Sequence, residues 1–289
     1  MVFTEEIQFS SSKLINRFMD GKAVEVKDFL KEIREDYGYK HFVQQFDKIC
    51  ELRVLVIGDV ILDEYQFVKP LGKSSKSATI TAKKLNTDIY TGGILAVANH
   101  VADFVKSVDL VTTFGINDGV NYEDFIVNHL HDRVKWHGVH LPDRPTTLKR
   151  RFVDSTFKHK LFEIYEFDDS PMSEEDLDRV KGKIEALAGE YDMILVADFG
   201  HSILDRQLVN YLAELPTFLA VNAQTNSGNN GYNLLTKYPR CDYFSIDKEE
   251  AHLSTALTNL ESGATDSSAL DGYWDIDTGE EATDSRVER

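Results

Sequence analysis

Cysteine is nearly absent. The 289 residues hold only Cys50 and Cys241. The two are far apart and lack metal-ligand spacing, which excludes a disulfide framework and a cysteine-based metal centre. Each is expected to be a buried, reduced thiol. Cations are also in short supply: 32 Lys and Arg stand against 49 Asp and Glu, a formal net charge of -17. That balance excludes wholesale binding of nucleic acid or of an anionic membrane, and leaves room only for a local basic patch. Long apolar runs are missing as well. Nothing approaches the ~20 residues that span a bilayer. The opening MVFTEEIQFSSSK has neither the basic start nor the apolar run of a signal peptide. The expected location is the cytoplasm, with no nucleic-acid or membrane partner.

What remains is a chain rich enough in apolar residues, 42%, to build a substantial core. Its character changes twice. Residues 1–52 are polar and read as helical, with Phe29, Leu30 and Ile33 on one face, Phe42, Phe46 and Ile49 on another, and Gly38 between the two helices. Residues 53–252 alternate strand and helix. RVLVIG (Arg53–Gly58), VDLVTTFG, MILVADFG and TFLAVNAQ are apolar runs of the kind buried on both faces of a sheet. VKWHGVHL, ending at Pro142, is a further strand, and LKRRFVD, LFEIYEFD and CDYFSI are extended. Helices are expected after Gly92-Gly93, over Glu123–His131, over Leu204–Leu215, and after Ser173, where Leu177, Val180, Ile184, Leu187 and Tyr191 recur by threes and fours. Ser173 can cap that helix, and Glu174, Glu175 and Asp176 suit its positive end. Repeated β-α-β units predict a mainly parallel sheet covered by helices on both faces. Residues 253–289 carry nine Asp and Glu against two Lys and Arg, which suggests an acidic, mostly disordered tail.

Several segments point to chemistry at the carboxyl ends of strands, where open α/β sheets bind ligands. GDVILDEY (Gly58–Tyr65) offers Asp59 and Asp63 there. A carboxylate can accept two hydroxyl hydrogen bonds, which suits a sugar. Asp63 is taken as a ligand contact, while Asp59 is balanced between ligand contact and turn cap. TGGILAVANHVADF (Thr91–Phe104) has Gly92 and Gly93 ahead of a helix, where a ligand can approach the backbone, and Asn99 one turn on. In TTLKRRFVD (Thr146–Asp154), Lys149 and Arg151 share one face of a strand. They can hold a substrate phosphate or serve as edge-strand cations. Asp198 ends another strand, and His201 just beyond it is read as a helix cap rather than a phosphate ligand. Asp247-x-x-Glu250 is either a hard-oxygen magnesium site or an ordinary helix start.

GDVILDEY together with TGGILAVANHVADF resembles the ribokinase-like (pfkB-type) carbohydrate kinases, and within them the heptose-phosphate kinases of ADP-heptose synthesis, over residues 53–252. The resemblance implies an α/β fold, a three-layer α/β/α sandwich with a mainly parallel sheet and a small β lid, incomplete at its C-terminus. It implies a sugar or sugar-phosphate substrate held by Asp63, Gly92, Gly93, Asn99, Lys149, Arg151 and Asp198. ATP and Mg2+ are the implied cofactors, with the metal near Asp247 and Glu250. Ser77–Asn86 would supply a lid strand, and lid strands would pair in a homodimer. The loop Val221–Asn233 lacks the Asp and Lys of many relatives near Asn222 and Gln224. The family's closing Gly-Ala-Gly-Asp segment, which carries the general base, has no counterpart. DTGEEATD (Asp277–Asp284) is read as a chance likeness, and no catalytic residue is assigned. FSSSKLINRF (Phe9–Phe18) resembles the end of a cytidylyltransferase-like domain. The expected function is a carbohydrate kinase-like domain from a kinase/nucleotidyltransferase fusion. The alternative is a non-catalytic sugar-phosphate-binding or scaffolding remnant of one.

Overall fold

The structure is a computed structural model that describes residues 24–225 and 233–262. Contacts divide the chain into two units, and Lys48–Thr265 form the larger. Before it lie helices α1 (Val24–Asp36) and α2 (Tyr39–Ile49), separated at Gly38 as the sequence indicates.

The larger unit is built around six strands: β1 (Arg53–Gly58), β4 (Ser107–Phe114), β7 (Val134–His140), β10 (Met193–Asp198), β11 (Phe218–Ala223) and β12 (Tyr243–Ser245). Their order is β12-β11-β10-β1-β4-β7, and every pairing is parallel. β1 sits inside this sheet because Val54, Leu55, Val56 and Ile57 are apolar on both faces and fully buried. One face packs with α3 (Ile94–Ala102), whose Ile94, Leu95, Ala98 and Ala102 form a helical stripe. The other packs with α5 (Glu174–Leu187) and α6 (Arg206–Glu214) through Leu177, Val180, Ile184, Leu208, Val209 and Leu212. Ser173 does cap α5, accepting the Asp176 N–H at 3.2 Å. This is the three-layer α/β/α arrangement expected from the alternation of elements.

Only Asp59 separates β1 from β2 (Val60–Lys73), which leaves the central sheet and starts a second one. Here β2 pairs antiparallel with β3 (Ile80–Gly93) and parallel with β8 (Thr147–Asp154), and β8 pairs antiparallel with β9 (Lys160–Glu166). Ser77–Asn86 thus contributes to β3, as a lid strand should. A short hairpin, β5 (Ile116–Asn117) and β6 (Val120–Asn121), precedes α4 (Glu123–Asn128). α4 is shorter than the expected Glu123–His131 helix.

The boundary expected at residue 252 falls inside a helix. α7 runs Lys248–Ser262, so residues 253–262 are helical rather than tail. Phe9–Phe18, Asp277–Asp284 and part of the Val221–Asn233 loop lie outside the described residues.

Candidate functional site

Strand alternation decides which side chains meet on the small sheet. Asp63 is in register with Tyr90 on one side and Lys149 on the other, and Tyr65 is in register with Arg151. Lys149 and Arg151 are in turn opposite Tyr165 and Glu163. One face of the lid therefore gathers two cations, two carboxylates and three tyrosines. The Arg151 guanidinium is ion-paired with Asp63, lies 3.4 Å from Glu163 Oε1, and stacks 5.4 Å from the Tyr65 ring centroid. Tyr65 meets Tyr90 edge to face at 5.7 Å. The Lys149 ammonium sits 5.5 Å from the Tyr165 ring centroid. Burial holds the Lys149 pKa below the ordinary lysine range, with Asp63, Glu163 and Asp59 pulling it up and Arg151 pushing it down. Asp59, the single residue between β1 and the lid strand β2, is among the charges that raise the Lys149 pKa.

The paired glycines belong to the same construction. A Cβ on Gly92 would collide with the Asp63 carboxylate, so glycine there leaves room for that side chain. Gly93 has φ +54°, and a Cβ on it would lie 2.7 Å from the Asp59 carbonyl, which accepts the Ile94 N–H at 3.0 Å. The space beside Gly92 is filled by the Asp63 carboxylate, so Gly92 seats Asp63, while Gly93 starts α3.

Asp59 is the most perturbed acid of the site. It is 3% exposed, and its Oδ2 accepts the Phe199 N–H at 2.9 Å and the His201 N–H at 3.3 Å. Burial, together with repulsion from Asp198, pushes its pKa up to about 6 against the pull of His201 and the two backbone N–H groups. His201 is not the cap of α6. Asp205 caps that helix, accepting the Leu208 N–H at 2.8 Å. The His201 ring is buried and turns Nδ1 towards Asp169 at 3.0 Å. Arg144, which sequence reasoning missed, ties the surrounding loops together. It donates to the backbone carbonyls of Asp168, Ser170 and Pro171 and to the hydroxyls of Ser170 and Ser202.

Four of the expected site residues bond within the protein. Asn99 donates to the His129 carbonyl at 2.9 Å and accepts the His131 N–H at 2.8 Å, so its amide clamps the turn before β7. Asp198 is 1% exposed and is consumed inside the protein. It accepts from Gly200 N, Asn233 Nδ2 and Tyr238 Oη, and pairs with Lys237 at 2.5 Å. Asp247 and Glu250 form a reciprocal capping box at the start of α7: Asp247 Oδ1 accepts the Glu250 N–H at 2.8 Å and Glu250 Oε2 accepts the Asp247 N–H at 2.9 Å. Glu250 Oε1 takes the Thr225 N–H at 2.8 Å. Among the described residues no group of three His, Cys, Asp or Glu is arranged to hold a metal ion. Nor is any helix among them long and apolar enough to cross a membrane.

On the opposite face of the lid, Arg150 bonds Glu64 at 2.8 Å and Glu166 at 2.7 Å. Burial alone would raise the Glu64 pKa, but hydrogen bonds from Arg150 and Gln66 hold it below the ordinary value.

No family model matches this sequence. It is 28% identical over 155 residues to the bifunctional protein HldE of Shewanella sp. strain ANA-3, covering 53% of this chain and 31% of that protein. It is 26% identical over 161 residues to the D-beta-D-heptose 7-phosphate kinase of Bordetella bronchiseptica, covering 55% and 49%. The chain thus spans less than half the length of these relatives. The structure is similar to a carbohydrate kinase from Agrobacterium tumefaciens (TM-score 0.53, 14% identity, covering 74% of this chain and 67% of that one). It is also similar to phosphofructokinase-2 from Escherichia coli in complex with fructose-6-phosphate (TM-score 0.50, 12% identity, covering 72% and 64%).

Proposed function

We propose that this chain, whose fold is that of the ribokinase-like carbohydrate kinases it is similar to, is a carbohydrate kinase-like domain whose lid and central sheet hold a sugar or sugar phosphate between them. The observation that carries this is the shared lid face, where Asp63, Lys149 and Arg151 lie together beside the carboxyl end of β1. Asp63 is suited to accept sugar hydroxyls. Lys149 and Arg151 are suited to a phosphate on the same substrate, as in the heptose 7-phosphate and fructose-6-phosphate handled by the proteins named above. A hydroxyl arriving at Asp63 competes with the Arg151 ion pair and frees the guanidinium for the phosphate. Substrate binding and release of that pair are one event in this reading.

For the whole protein the proposed reaction is ATP-dependent phosphorylation of the bound sugar. Three of the four carboxylate oxygens of Asp247 and Glu250 already accept backbone N–H groups, which argues against a magnesium–nucleotide site on this pair. That observation favours a second reading for this chain, in which it binds the sugar phosphate without turning it over. We also propose a homodimer through the lid, whose edge strand β3 exposes Ile80 and Leu85.

Thermal-shift and calorimetric titration with fructose 6-phosphate, glucose 6-phosphate and heptose 7-phosphate test the proposal, beside an ATP-consumption assay with Mg2+. At least one sugar phosphate is expected to bind, and Asp63→Ala to weaken it by about tenfold or more. Binding with ATP consumption supports the kinase, and binding without it the second reading. If none of the three binds, both are wrong.

A further inference from the structure

We propose that Asp59 and His201 form a hydroxyl-reading subsite, in which one polyol arm of the ligand donates hydrogen bonds to Asp59 Oδ1 and His201 Nε2. The proposal rests on the sugar-binding reading above and adds to it a specificity-determining residue, His201. Both side chains line a cavity of about 30 Å³, together with Thr113, Arg144, Thr147 and Ser202. That is room for a water molecule or two, or for a single hydroxyl-bearing carbon, and not for a sugar ring.

The imidazole fixes the polarity of this cavity. Its side chain is 2% exposed, and Nδ1 lies 3.0 Å from Asp169 Oδ1. An ionised carboxylate only accepts, so Nδ1 carries a proton, and a ring that carries that proton alone presents Nε2 as an acceptor. Nε2 is buried with no hydrogen-bond partner among the described residues. A buried acceptor left in that state calls for a donor. The Phe199 and His201 N–H groups both bond to Asp59 through Oδ2. The segment that joins the two acceptors is held in uncommon backbone geometry, with φ +74° at both Gly200 and Ser202. Arg144 fastens it by donating to Ser202 Oγ at 2.8 Å. An outlier of this kind next to a cavity is a sign of a positioned functional group.

The chemistry of the lining selects the ligand group. A phosphate is disfavoured, because Asp59 and Asp168 line the cavity, Asp169 faces the Nδ1 side of the His201 ring, and the Arg144 donors already serve three carbonyls and two hydroxyls. Two acceptors on residues that line one cavity suit hydroxyl donors.

The test uses the full chain labelled with 15N at histidine, titrated with glycerol and separately with fructose 6-phosphate. His201 is expected in the Nδ1–H tautomer, with its Nε2 resonance moving on addition of glycerol. His201→Phe is expected to raise the fructose 6-phosphate dissociation constant by about tenfold, the loss of one hydrogen bond, and His201→Gln to recover part of it. An Nε2–H tautomer, or an Nε2 resonance unmoved by glycerol, overturns the proposal, and both are read on the unsubstituted protein. If glycerol moves Nε2 while fructose 6-phosphate does not bind, the subsite stands and the sugar-phosphate reading has lost support. Equal affinity of the unsubstituted protein and His201→Phe for fructose 6-phosphate also counts against it.

Discussion

At the scale of single residues, the carboxylate with most to say is Asp59. Its pKa of about 6 in the folded chain lies above the ordinary 3.8. The folded protein therefore holds this proton more tightly than the unfolded chain does. The stabilising contribution is complete below about pH 4 and is lost as pH rises through 6. The rise from 3.8 to about 6, at ~1.4 kcal/mol per pH unit, amounts to roughly 3 kcal/mol of destabilisation at pH 8. Asn at this position keeps an oxygen for the Phe199 and His201 N–H groups without the charge. Asp59→Asn is thus expected to be more stable than the parent at pH 8 by up to about 3 kcal/mol and nearly equal to it at pH 4. Urea unfolding at the two pH values measures this. A parent that is as stable at pH 8 as its variant would show that Asp59 is solvated. A buried acid kept at such a cost is a hallmark of a functional site, and the same variant is expected to bind sugar more weakly. Asn99 carries the opposite lesson. Its two bonds to the 129–131 turn predict that Asn99→Ala loses about 1–2 kcal/mol of stability while sugar affinity is unchanged.

Between elements, the junction of β2, β3 and α3 is where the site is made. The Asp63 carboxylate needs the absence of a side chain at Gly92. Gly92→Ala is therefore expected to displace Asp63, lowering both the melting temperature and sugar affinity. Adding Asp63→Gly to it should restore most of the stability and none of the binding, a non-additivity that a double-mutant cycle reads directly. The sequence signalled this junction as two glycines before a helix, but their role in seating Asp63 appears only once β2 and β3 are in register. The capping box shows a related ambiguity. Asp247-x-x-Glu250 fits both a helix start and a metal pair on paper, and the reciprocal backbone bonds are those of a helix start. Asp198 looked like a ligand at a strand end because its partners Asn233, Lys237 and Tyr238 come 35 to 40 residues later, beyond any local pattern.

Across the whole molecule, the parallel sheet was readable because the strands that are buried on both faces write themselves as apolar runs. The lid was readable only in part, since its polar alternation says which residues share a face and not what that face meets. Helices α1 and α2 were readable from periodicity, yet the apolar residues Phe42, Phe46 and Ile49 of α2 are exposed. Among the described residues, the buried apolar side chains begin at Val54. The larger unit, Lys48–Thr265, thus has a core, a lid and a candidate site of its own. A fragment of those residues is expected to unfold in one cooperative transition within a few degrees of the full chain and to bind the same sugar phosphate with unchanged affinity. Calorimetric melting and titration of the fragment beside the full chain measure both. Loss of cooperativity would mean that the segments outside 48–265 support the core. Loss of binding with an intact melt would mean that they reach the site.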